Sequence, residues 1–472
     1  MNSPYGLPIF LAPMMLLLLC TDPCLSSPED DKLAQARLQF LKGDNMSSVK
    51  ILDALVERNP AYSKAYSLRA LVFGQQHKYK NALLDGNKAI VLDPKNYQAY
   101  VAHGLASLSL HDYVRALSDF SNAIGLNPQS SHAHLCRAAA YGGLKQQQDA
   151  LHELSISISL DPKNSELYVA KAKIYEYLKD QKNCMKELDK AISVSSTNAV
   201  AYDMRALLNL NLSNYKQAIA DANKAISMNP SLDTAFCTRG AAFARMGNTA
   251  SALSDFDKTI ALNKKNAGGF YNRGVLAQEA KKILEAIDYY SRAIALDPAF
   301  ASSYRNRSNC YRSQDKYKEA LADWKTYMKL SPSSDEKLNF HTAWLCYKAG
   351  DFKDAIENFS KLIEKDSQNQ SAIWLRGLSY FESSNYNAAI DDFNKVDEAS
   401  PFNHQMATEK RGNAYLNLGD YEHAVDELSE SIKIDGLNAE LFRRRAEAYK
   451  HLGKDEEAKF DNAVAESLNQ RK

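Results

Sequence analysis

Three small positions recur along the chain. The first is held by Ala70, Gly104, Ala138, Ala172, Ala206, Gly240, Gly274 and Ser308. The second follows twelve residues later, at Ala82, Ala116, Ala150, Ala218, Ala252, Ala286 and Ala320. The third comes seven residues further, at Ala89, Ala123, Ala191, Ala225 and Ala293. Short polar breaks such as Lys78-Tyr79, Gly350-Asp351-Phe352 and Gly419-Asp420-Tyr421 separate the first position from the second. Small residues at fixed places let antiparallel helices approach closely. The pattern therefore predicts a helix, a turn and a second helix, repeated.

Prolines give the length of the repeat. Beyond residue 28 they stand at Pro60, Pro94, Pro128, Pro162, Pro230, Pro298, Pro332 and Pro401. From Pro60 to Pro162 every step is 34 residues, the next two intervals are double steps, and Pro298 to Pro332 is a single one. A proline cannot continue a helix and so closes the second helix of each unit. A constant period of this size marks a stacked solenoid. Counting yields about thirteen units. Residues 30–59 form a weakly matching cap, and further units begin near 60, 94, 128, 162, 196, 230, 264, 298, 332, 367, 401 and 436. The polar C-terminal stretch suits an end cap. One solenoid over 30–468, after a leader and linker over 1–29, leaves no room for a second domain.

The series Tyr66, Ala70, Phe73, Ala82, Ala89, Pro94 and the series Tyr304, Ser308, Tyr311, Ala320, Trp324, Pro332 resemble the pattern of the tetratricopeptide-repeat family. The resemblance covers roughly residues 30–468. It implies an all-α fold, a right-handed superhelical α-solenoid in which the first helix of each unit lines a concave groove that holds partner peptides.

Composition changes this picture little. The net charge of +1 gives no whole-molecule attraction to nucleic acid or to an acidic membrane surface. The seven cysteines are sparse and without metal-ligand spacing, so they read as small buried hydrophobes. At the N-terminus, residues 7–20 read LPIFLAPMMLLLLC, too short to span a bilayer but of the length of a signal-peptide core. Cys24-Leu25-Ser26 offers a cleavage site, although no basic residue precedes the run. The preferred reading is a secretory signal, with the protein in the secretory pathway, the ER lumen or secreted; an apolar leader on a cytoplasmic protein is the alternative. Five Asn-x-Ser sequons do not decide between them.

One column departs from the family pattern. Just before the first small position stand Arg69, His103, Arg137, Lys171, Arg205, Arg239, Arg273, Arg307, Thr342, Arg376, Arg411 and Arg445. Sixteen residues after each comes Asp85, Asp119, Glu153, Glu187, Asp221, Asp255, Tyr289, Asp323, Asn358, Asp392, Glu427 or Asp461. A ladder of bases invites a polyanion reading. The matched loss of base and acid at Thr342 and Asn358 favours an ion pair between the two helices of each unit. Tyr289 opposite Arg273 fits neither class.

Projected on the family's groove, units two to six offer aliphatic residues: Leu68, Leu71, Val101, Leu105, Leu108, Leu135, Met204 and Leu207. Units eight to eleven offer Tyr271, Asn272, Arg305, Asn306, Asn309, Arg312, Phe340, His341, Trp344, Tyr347, Trp374 and Phe381. Aromatic and arginine side chains dominate binding hot spots, which makes Trp344 and Trp374 the leading candidates; filling space between repeats is the alternative for both. Arg305 and Asn309 resemble the first two members of the family's carboxylate clamp. His341, Ser371 and Leu375 do not complete it, so a generic chaperone-tail role is not supported. Phosphate-binding loops, nucleophile elbows and HExxH metal motifs are missing from the sequence. The expected function is thus a non-catalytic scaffold or adaptor whose partners are other proteins, with no cofactor, metal, nucleic acid or integral membrane span. A targeting or regulatory subunit of a separate enzyme and a lumenal co-chaperone holding unfolded clients are the alternatives.

Overall fold

The computed structural model of the chain describes residues 27–332, 335–396 and 401–470. The apolar run read as a leader lies outside the described residues. The first helix begins at Pro28, capped by Ser27, whose hydroxyl accepts from the Asp30 backbone N–H. Among the described residues there are 26 helices and no strand. They form thirteen consecutive helix pairs, each a helix A followed by an antiparallel helix B. Two compact parts divide the chain, one through Asn266 and one from Ala267.

Unit three shows why the sequence folds this way. Its helix A spans Tyr97–Ser109 and its helix B Tyr113–Leu126. At Gly104 a Cβ would lie 2.7 Å from Cε1 of the buried Phe120, so the pair closes only because that position carries no side chain. Gly377 meets Phe393 in unit eleven at the same 2.7 Å. Between the helices His111 adopts φ 62, and Asp112 then caps helix B by accepting from the Arg115 N–H. A left-handed residue at this turn is strained for anything but glycine. Gly247, Gly350, Gly419 and Gly453 meet the need directly, and Lys145, Ser213 and Lys281 adopt the same conformation in other units.

The amino-terminal part is packed around one apolar cluster that runs from Leu33 to Ile174. This corrects the groove expected in units two to four. Leu68, Leu71, Val101, Leu105, Leu108 and Leu135 are all buried, none more than 7% exposed. Helix A of unit two (Ser63–Gln75) packs directly on helix A of unit three, and these side chains are the seam between them. Met204 and Leu207 of unit six are only half-buried. Of the cysteines, Cys136, Cys184, Cys310 and Cys346 are buried and Cys237 is half-buried.

Candidate functional site

The base column forms a ladder of clips. Arg69 donates from Nε and Nη2 to the two carboxylate oxygens of Asp85, at 2.6 and 2.8 Å. Arg205 holds Asp221 in the same fork, as do Arg239 with Asp255, Arg307 with Asp323, Arg376 with Asp392 and Arg445 with Asp461. Where the acid is a glutamate or the base is not an arginine the geometry changes. Glu153 gives one oxygen to Arg137 at 2.7 Å and the other to His134 at 2.7 Å. Arg411 Nε reaches Glu427 at 3.0 Å, His103 lies 2.8 Å from Asp119, and Lys171 is 3.6 Å from Glu187. A forked pair is stronger and more directional than a single contact. The carboxylates hold the guanidinium groups of Arg69, Arg205, Arg307, Arg376 and Arg445 charged against the opposing effect of burial.

Each fork leaves Nη1 over, and that nitrogen reaches backwards. Sixteen residues earlier, on helix B of the preceding unit, it meets Asp53 from Arg69, Asp189 from Arg205, Asn223 from Arg239, Ser291 from Arg307, Ser360 from Arg376 and Ser429 from Arg445, at 2.7 to 3.0 Å. Every such arginine therefore ties two successive B helices together. Aromatic rings of its own helix cover it, as Tyr304 and Tyr311 do for Arg307, each 5.8 Å away. The second acceptor column lies at the same spacing counted in the other direction, and it was missed in the sequence because serine, asparagine and aspartate share it.

The two exceptions have physical explanations. Tyr289 accepts a 3.1 Å hydrogen bond from Arg273 and offers its ring face to the same guanidinium, a neutral substitute for the acid. Where Thr342 replaces the base, its hydroxyl accepts from the Trp324 indole N–H at 2.8 Å, and Asn358 turns back to the Asp354 carbonyl.

The carboxy-terminal part presents a different A-helix surface. Tyr271 is half-buried against Phe300 and Tyr290, and Asn306 donates to both tyrosine hydroxyls, at 3.3 and 3.4 Å. Asn272 and Asn309 are half-buried, whereas Arg305 and Arg312 are exposed. In unit ten Trp344 is half-buried, stacked on His341 and edge-on to Tyr317. Phe340 packs on Phe359 and Tyr347 on Phe352. In unit eleven Trp374 packs on Phe393, and Phe381 on Tyr386 with Lys410 over its ring. Burial, together with the fields of Arg312 and Arg305, pushes the His341 imidazole down to about 4, so it is neutral at neutral pH.

Among the described residues, Cys346, Asp351 and Asp354 bring possible ligand atoms within 4.8 Å of one another. The Lys325 ammonium lies 2.7 Å from Asp354 and 3.2 Å from Asp351, where a metal cation would have to sit. No helix among the described residues is long and apolar enough to cross a membrane.

Helix pairs of mostly similar length, closed by small residues and stacked without strands among the described residues, define an α-solenoid of helix-turn-helix repeats. Family models of the tetratricopeptide repeat match residues 33–97, 165–198, 199–232, 237–301, 271–334, 342–404 and 409–436, more than half of the sequence, and the chain belongs to that family. Tetratricopeptide proteins bind other proteins. Among curated proteins, a Dictyostelium discoideum DnaJ homolog subfamily C member 7 homolog is 26% identical over 133 residues, covering 25% of this chain and 25% of the relative. Human RNA polymerase II-associated protein 3 is 31% identical over 99 residues, 21% of this chain and 15% of the relative. The chain thus spans a quarter or less of the length of these relatives. Among solved structures, the APC/C hetero-tetramer Cut9-Hcn1 aligns over 98% of this chain and 97% of its own at 14% identity and a TM-score of 0.42. Naa15/Naa10 bound to HypK-THB aligns over 94% of each chain at 13% identity and a TM-score of 0.33.

Proposed function

We propose that this protein is a non-catalytic adaptor that holds a peptide or protein segment along the A-helix face of units eight to eleven. One contrast carries the reading. In units two to four the corresponding positions are buried aliphatic seam, while here they are half-buried aromatics and amides with exposed arginines among them. Half-buried tryptophan is the side chain that gains most when a partner completes its burial. Trp344 and Trp374 are the anchors, and Tyr271, Asn272, Asn306 and Asn309 supply polar contacts to the backbone of the bound segment.

The test is affinity capture on the full chain followed by direct binding of the captured partner to purified protein. Trp344→Ala and Trp374→Ala each weaken that direct binding by about tenfold or more, the usual range for truncating an interface anchor. A partner that binds both variants as tightly as wild type removes this face from consideration.

A further inference from the structure

We propose that a crease between units four and five binds a small organic phosphomonoester, with the phosphate on Lys186 and Lys190 and the apolar body against Ile158 and Tyr168. The site shares no residue with the face proposed above, so neither reading depends on the other.

The crease exists because one rung of the ladder is short. It lies between helix B of unit four (Gln147–Leu160), helix A of unit five (Ser165–Tyr177) and helix B of unit five (Gln181–Val194). Elsewhere an arginine forks onto its own acid and sends Nη1 back to the preceding B helix, as Arg205 does with Asp221 and Asp189. Lys171 has a single nitrogen for the same work. It donates to Ser155 at 3.2 Å and stays 3.6 Å from Glu187. No guanidinium fills the gap, and about 530 Å³ stays open. That volume falls within the range of about 300–1,000 Å³ that small-molecule sites occupy.

The charges around the crease are unevenly committed. Both acids of the lining are engaged, Glu187 with Lys171 and Asp189 with Arg205 at 2.7 Å. Lys186 and Lys190 are exposed, and among the described residues neither has a carboxylate at ion-pair distance. They stand one turn apart on the same helix, so both ammonium groups reach one mouth. Lys186 also breaks the repeat pattern. From unit two onwards no other unit has lysine or arginine at its place, which holds Leu84 in unit two and Ala220 in unit six. The one lysine of the ladder and this second departure thus fall in one unit and line one cavity.

The lining selects the ligand. The Tyr168 hydroxyl donates to the Pro162 carbonyl, which leaves its ring, with Ile158, as an apolar wall. Ser155 and Ser193 add hydroxyls. An arginine fork suits a flat carboxylate, whereas lysine is a point charge that meets phosphate oxygens from any direction. Two unpaired ammonium groups match a phosphomonoester, which is nearly doubly negative at neutral pH. A bare phosphate ion would leave the apolar wall unused, so an organic body is part of the fit. Such a group can come from a soluble metabolite or from a lipid head group.

The test measures binding of phenyl phosphate to the full chain, with phenyl sulfate, inorganic phosphate and phosphatidate vesicles as comparisons. Phenyl phosphate binds saturably with a Kd of about 1 mM or below. Phenyl sulfate, with one charge, and inorganic phosphate, without the ring, are each weaker by about tenfold. Lys186→Gln and Lys190→Gln each weaken phenyl phosphate by about tenfold. The melting temperature does not change, since both side chains are exposed. Ser155→Phe fills the crease without altering charge and removes binding. Co-sedimentation with phosphatidate vesicles gives a lipid as the source; binding of phenyl phosphate without it gives a soluble metabolite. The proposal is overturned by no saturation with phenyl phosphate or by equal binding of phenyl sulfate or inorganic phosphate. An affinity left intact in the Lys186→Gln, Lys190→Gln double variant, or in a folded Ser155→Phe, overturns it as well.

Discussion

Arg205 and Asp221 face each other through two parallel hydrogen bonds of 2.8 and 2.7 Å, joining the two helices of unit six. Asp221 also accepts from Asn209 and is only 7% exposed, so removing the arginine strands a buried carboxylate. Arg205→Ala is expected to destabilise the chain by about 3 kcal/mol, at the lower end for breaking a buried pair because the arginine is partly solvated. Exchanging the charges, with Arg205→Asp and Asp221→Arg together, recovers more than half of what either single exchange loses. Urea unfolding of wild type and these four variants checks this, and no recovery would refute the pairing as a source of stability.

Lys171 is the one lysine in the column, and it fills its place poorly. Its ammonium reaches Ser155 at 3.2 Å and Glu187 at 3.6 Å, beside a crease of about 530 Å³ lined by Tyr168, Lys186 and Lys190. A guanidinium there can bond forward and backward at once, as its counterparts do. Lys171→Arg should therefore raise stability by about 1 kcal/mol. An unchanged or lowered melting temperature would show that the crease does not close.

Asp203 is a carboxylate among buried neighbours. Thr234 donates to Oδ2, while Oδ1 is buried without a hydrogen-bond partner. Burial pushes its pKa up to about 6, only partly offset by the threonine. The folded chain thus keeps a proton that the unfolded chain has already released between about pH 4 and 6, and stability falls as pH rises through that window. Asp203→Asn keeps an acceptor for Thr234 and carries no charge. It should be more stable than wild type at pH 7.5, by on the order of 3 kcal/mol, with the gap vanishing below about pH 4. Denaturant melts across that range decide the matter; a gap that widens towards acid would reverse the sign of the argument.

The repeat was legible in the sequence because it is written in residue size. Gly104 and Gly377 are small since a phenylalanine ring presses on each, and proline steps repeat the unit length. The forward partner of each base was legible for the same reason, a fixed offset. The backward partner was not, since serine, asparagine and aspartate share that column and no single residue type marks it. Tyr289 was opaque because a phenol does an acid's work only through its hydroxyl and ring together. The aliphatic groove of units two to four was misread, since a leucine on a helix looks the same from sequence whether it meets a ligand or the next helix. Burial, which separates Leu105 from Trp344, depends on how closely neighbouring A helices pack.

Thr342 interrupts the ladder once, between units nine and ten. There the buried clip is replaced by the neutral Trp324–Thr342 bond and by Lys325, whose ties to Asp351 and Asp354 lie at the surface. Surface pairs are screened by dissolved ions much more than the buried forks are. Rising ionic strength therefore loosens this junction, as it does those tied through Asp53 and Asp189, and a stack of repeats parts most readily at its weakest neighbour contact. The same junction holds Arg305, His341 and Trp344. The chain thus has a salt-sensitive fault line running through the surface that its arginines leave open.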